Sequence, residues 1–65
     1  MPEVVVYAVE GRSAEQKKAL FRDITEAVVK NFNAPREAVV VSLVETPKAN
    51  KAKGGFPFSE RAPQT

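Results

Sequence analysis

The residue with the most chemical promise is Pro2, directly behind Met1. An internal proline nitrogen is an amide with no basic lone pair. Removal of Met1 by an aminopeptidase would turn this one into a free secondary amine on a rigid ring. Such an amine can serve as a general base or a nucleophile. With Met1 retained, base catalysis by Pro2 is impossible, and many Met-Pro starts mark nothing more than a processed terminus. The chain offers little rival chemistry. It has no cysteine and no histidine, which removes the usual thiolate nucleophile and the commonest metal ligand. No carboxylate pair, glycine-rich phosphate loop or Ser/His/Asp set is present, so neither a metal nor a cofactor is expected. The cations placed to meet an anionic ligand are Arg12, before the first helix; Arg36, in a loop; and Lys51, between Lys48 and Lys53. Two of them have a plain alternative. Arg12 could pair with Glu10 or Glu15, and Lys51 could be a solvated loop lysine.

These residues must be positioned by very few elements. Residues 4–9 and 39–44 are short, β-branched and almost continuously apolar. Such runs predict strands covered on both faces rather than half-exposed ones, which would alternate with polar residues. Between them Ser13 and Gln16 form a capping-box pattern, and Glu15 suits the positive end of a helix. Leu20, Phe21, Ile24, Ala27, Val28 and Phe32 then recur at helical spacing, with Lys17, Lys18, Arg22 and Lys30 largely on the other side. Asn33 and Pro35 stop the helix near residue 32. A strand–helix–strand unit is right-handed in nearly all cases, so its strands should pair in parallel. Beyond Glu45, which could pair with Lys48, lies a polar loop ending in Gly54-Gly55. A short hairpin or edge strand around Phe56 and Phe58 comes next, and then a flexible tail over 61–65.

The expected class is therefore α+β: one β-α-β domain with a two-stranded parallel sheet and a C-terminal hairpin, its core within residues 2–60. One helix covers one face of such a sheet. A chain of 65 residues with no disulfide has little else with which to offset the entropy of folding. Another copy should cover the second face. Tyr7 is expected in that core rather than as a general acid, and Phe56 and Phe58 at a subunit contact.

Composition excludes several classes. A net charge of +2 is too mild and too evenly spread to imply a nucleic-acid partner. No apolar run approaches a membrane span and no signal-like segment opens the chain. A soluble cytoplasmic protein is the default.

Several residues together resemble the 4-oxalocrotonate tautomerase family. They are Pro2; Val9-Glu10-Gly11-Arg12-Ser13 with Glu15-Gln16-Lys17; Ala34-Pro35; and Pro47-Lys48-Ala49-Asn50 with Gly54-Gly55. Their order spans residues 2 to about 60. The resemblance implies a β-α-β subunit assembling into dimers and hexamers, with active sites between subunits. It implies isomerase chemistry of the kind used in aromatic degradation: the N-terminal proline moves a proton between enol and keto forms of a small 2-hydroxy-dienoate or 2-oxo acid. Arg12 matches the arginine that binds a carboxylate of this small anionic substrate. Two positions depart from the family. Val40 stands where a second arginine is expected, and Lys51 where an aromatic is expected. Arg36 or Lys51 would then have to replace the missing cation. The alternative is a catalytically impaired subunit of a hetero-oligomer, completed by a different chain.

Overall fold

A computed structural model describes residues 1–60; the tail expected over 61–65 lies outside the described residues. Strand β1 (Glu3–Val9) leads to helix α1 (Ala14–Phe32). A short 3-10 turn (Arg36–Ala38) leads to strand β2 (Val40–Thr46). A second such turn (Lys48–Asn50) precedes a small hairpin of β3 (Ala52–Lys53) and β4 (Phe56–Pro57). β1 and β2 pair in parallel, from Glu3 opposite Val40 to Val9 opposite Thr46, and β3 pairs with β4 antiparallel. This is the β-α-β unit with a hairpin that the sequence implies.

Local chemistry explains the boundaries. The Ser13 N–H donates to Gln16 Oε1 at 2.8 Å, and the Gln16 N–H donates back to Ser13 Oγ at 3.1 Å. The two bonds occupy backbone donors that α1 leaves unpaired at its start. At the other end Asn33 takes a left-handed conformation, φ 54°, which asparagine tolerates better than most residues. The hairpin turns on Gly54 and Gly55, both at positive φ, as a two-residue type I′ turn demands.

β2 is displaced from the expected 39–44. Val39 is taken by the preceding turn, its N–H donating to the Arg36 carbonyl at 3.2 Å. At the far end Glu45 and Thr46 stay in the ladder opposite Ala8 and Val9, and the Glu10 N–H closes it on the Thr46 carbonyl at 3.1 Å. Backbone pairing with β1 carries the strand through polar residues that an apolar pattern would exclude.

The two faces of the sheet differ. Val6, Ala8, Leu43 and Glu45 face Gln16, Lys17 and Leu20 of α1 across a shared cleft. The alternate residues, Glu3, Val5 and Tyr7 with Val40, Ser42 and Val44, point the other way. Among the described residues no element covers this face: Tyr7 is 71% exposed, and Val5, Val40 and Val44 are also exposed. Both-sided cover is thus not achieved within one chain, and Tyr7 is not a core residue of it. Indeed no described residue is buried. Phe32 also leaves the expected apolar stripe, at 71% exposure. The reason is length. Nineteen helical residues run about 28 Å, whereas seven strand residues run about 20 Å from first to last, so the last turn of α1 overhangs the sheet.

Candidate active site

Pro2 sits at the mouth of β1. Its carbonyl accepts a hydrogen bond from the Val40 N–H at 3.0 Å. The backbone anchor therefore runs through the carbonyl and leaves the ring nitrogen out of the ladder. Met1 ahead of it is 89% exposed. Val40 is the immediate neighbour across the strands, and it offers a branched hydrocarbon there rather than a charge.

Arg36 lies near this same end, in the turn that feeds β2. Its Nη1 donates to Glu26 Oε1 on α1. The hydrogen bond and charge of Arg36 hold the Glu26 carboxyl below its ordinary range, and the bond to Glu26 raises the Arg36 guanidinium in turn. Arg36 is thus engaged by Glu26, and a substrate role would draw on its remaining donors or require that pair to open.

Arg12 occupies the opposite end, between Gly11 and the Ser13 cap. Gly11 has φ 129°, a backbone state that L side chains rarely adopt, so the turn releasing Arg12 from β1 is built on that glycine. The arginine borders a cleft of about 320 Å³ with Val6, Ala8, Gln16, Lys17, Leu20, Leu43 and Glu45. Among the described residues it makes no ion pair, with neither Glu10 nor Glu15. Glu45 does not pair with Lys48. It accepts from Lys17 Nζ at 2.6 Å, and both side chains are about 70% covered, with relative exposures of 32% and 27%. Lys17 was expected on the polar side of α1. A signal for its true place was present, since it precedes Leu20, Phe21 and Ile24 by helical steps and so borders their face.

Lys51 follows the second 3-10 turn. Its carbonyl accepts from the Phe58 N–H at 2.7 Å, and its side chain is in no ion pair among the described residues. Neighbouring Lys48 and Lys53 border a second cleft of about 300 Å³ with Val9, Phe56, Pro57, Phe58 and Glu60. The presence of Val9 fixes this loop at the C-terminal end of β1.

The expected residues thus fall into two groups. Pro2, Val40 and Arg36 cluster at the start of the strands, and Arg12 and the lysine loop at their end, about 20 Å away along β1. One chain does not bring Pro2 to Arg12 or Lys51. Among the described residues no cluster of acidic side chains could hold a metal, and no helix is long and apolar enough to cross a membrane. The arrangement supplies a prospective amine base at one end and unpaired cations for an anion at the other.

Comparison with known proteins identifies the family. The model of the tautomerase enzyme family matches residues 2–61. The chain is 50% identical over 62 residues to a probable tautomerase of Bradyrhizobium diazoefficiens, covering 95% of this chain and 92% of that one. It is 43% identical over 60 residues to the 2-hydroxymuconate tautomerase of Pseudomonas putida, covering 92% and 95%. A solved heterohexamer 4-oxalocrotonate tautomerase from Chloroflexus aurantiacus J-10-fl superposes with a TM-score of 0.85 at 32% identity, over 92% of this chain and 97% of that one. The chain belongs to the tautomerase family.

Proposed function

We propose that the chain, freed of Met1, is a subunit of a proline-dependent tautomerase that transfers a proton between enol and keto forms of a small 2-hydroxy-dienoate or 2-oxo acid. The observation that carries this reading is the seat of Pro2. It is fixed through its carbonyl to Val40, with its nitrogen out of the ladder and an exposed Met1 ahead of it. The amine removes the enol proton and returns it to carbon. Arg12 binds a substrate carboxylate through its planar fork. Because Pro2 and Arg12 stand at opposite ends of β1, each site takes them from different copies. The bare sheet face supplies a reason to assemble, and a hexamer, homomeric or mixed, fits the solved heterohexameric relative. Lys51 of a neighbouring copy is better placed than Arg36 to supply the second cation. It is in no ion pair among the described residues, and a nearby positive charge also lowers the pKa of a proline amine.

The mixed-assembly reading has an observation of its own. Val40 offers no donor beside Pro2, and Arg36 is engaged by Glu26. A different chain bringing its own cation to the Pro2 end would complete the site. The substrate range includes 2-hydroxymuconate, the compound in the name of the Pseudomonas putida relative, which gives the activity a place in aromatic degradation in the cytoplasm.

The test is ketonisation of 2-hydroxymuconate and of phenylenolpyruvate by the processed chain, by Pro2→Ala and by a form that keeps Met1, with processing read by intact mass. Loss of a general base should cost about 100- to 10,000-fold, in both altered forms. An unchanged rate in either would remove Pro2 from the mechanism.

A further inference from the structure

The cleft beside Arg12 contains one carboxylate, Glu45, and one other cation, Lys17. These two are paired at 2.6 Å and are less exposed than either of the other ion pairs among the described residues. The remaining polar side chain is Gln16, whose Oε1 is taken by the Ser13 N–H. Val6, Ala8, Leu20 and Leu43 complete the lining and offer no hydrogen bonds. A carboxylate on such a surface is costly unless it is paired. Were Lys17 absent, the cation left on the cleft to satisfy Glu45 would be Arg12. Both ends of that exchange are within one cleft, and Arg12 has no ion-pair partner among the described residues to hold it back.

We propose that Lys17 is a positioning residue: by occupying Glu45 it keeps Arg12 unpaired and free to take a substrate carboxylate. The inference rests on the substrate role of Arg12 in the proposed function. It assigns Lys17 no contact with substrate. Its effect is on which anion the arginine meets, a carboxylate of its own cleft or that of the ligand.

Competition of this kind has a signature that general destabilisation lacks. Lys17→Met should raise KM for an enol monocarboxylate such as phenylenolpyruvate by about fivefold, the scale of one partly exposed ion pair, with kcat little changed. Removing the competing anion as well should undo the damage, so Lys17→Met with Glu45→Gln should return KM to near the parent value. In an Arg12→Ala background Lys17→Met should have no further effect on the residual kcat/KM. Lys17→Gln gives the same comparison with a gentler change in packing should Lys17→Met fail to fold. An unmoved KM in the single variant, or a double variant no better than the single, would overturn the proposal.

A second readout is independent of turnover. The Arg12 Nε–H resonance in a 15N-labelled sample should shift on Lys17→Met and return with Glu45→Gln. A resonance that ignores both changes refutes the role of Lys17. If that resonance responds as expected while the processed parent ketonises no enol, Lys17 keeps its role and the tautomerase reading is the one that fails.

Discussion

The two ends of the β1–β2 pair are unequal. At the starting end, Pro2 is anchored to Val40 while Arg36 is tied to Glu26. An amine can be made there, but the arginine beside it is already paired. At the finishing end Arg12 and Lys51 are in no ion pair among the described residues, with Lys48 and Lys53 on a cleft of their own, yet the prospective proline amine is at the other end. Neither end is a site by itself. On the proposed function, the difference teaches that a complete site needs unlike ends of separate copies, with the bare sheet face as the surface that would hold those copies in place.

The comparison fails most completely if assembly is prevented. Tyr7→Asp with Val44→Asp places two charges on the uncovered face, where the residues stand opposite each other in register. Two charges there would oppose burial against another copy while leaving the helix-covered face intact. Sedimentation should shift to a single chain of 7.1 kDa, and ketonisation should fall to the uncatalysed rate. A monomeric variant with full activity would show that one chain contains the whole site after all.

Mixing subunits tests the division of ends directly. Pro2→Ala and Arg12→Ala should each be nearly inactive. If a site draws these residues from different copies, random reassembly of equal amounts gives about a quarter of sites with both intact, because each partner is independently intact half the time. Recovery near that level supports the two-ended arrangement. No recovery, in assemblies shown by mass to be mixed, places both residues in one chain's contribution.

Much of this geometry was legible before any coordinates. The Ser13–Gln16 box and Asn33 fixed both ends of α1 because capping is a local, stereochemically specific interaction. Parallel pairing followed from the handedness of the crossover. What escaped depends on partners distant in sequence. Lys17 was assigned to the polar side by residue type, but a carboxylate on β2, twenty-eight positions away, draws it to the sheet. Tyr7 belongs to the face that the sequence assigns to another copy, and an apolar run alone does not say which of its residues lie on that face. Arg36 is a candidate substrate cation in the sequence, and nothing in a linear pattern places Glu26 beside it across a helix end. Helical spacing can show which face a charged side chain borders, as for Lys17, but its partner on another element leaves no periodicity in the sequence.

The smallest expected effect concerns that last pair, and it decides whether the starting end truly lacks a free cation. Arg36 holds the Glu26 carboxyl below its ordinary value of 4.5, chiefly through the hydrogen bond and then through its charge. A carboxyl depressed in the folded state binds fewer protons there than in the unfolded state. Its contribution to stability is therefore present above the ordinary carboxylate value and is lost as pH falls through the depressed one. Arg36 is raised above the ordinary guanidinium range by the same bond, so it stays charged throughout and plays no role in the acid dependence. Denaturant midpoints measured from neutral pH into the acid range should show Glu26→Gln slightly less stable than the parent near neutrality. That gap should close as the parent's Glu26 becomes protonated. The effect should be small, since both side chains are more than half exposed and such pairs are weak in water. If the two curves instead run parallel throughout, the pair does not hold in solution. Arg36 would then be free to meet substrate beside Pro2, and the two ends of the molecule would be less unequal than their geometry indicates.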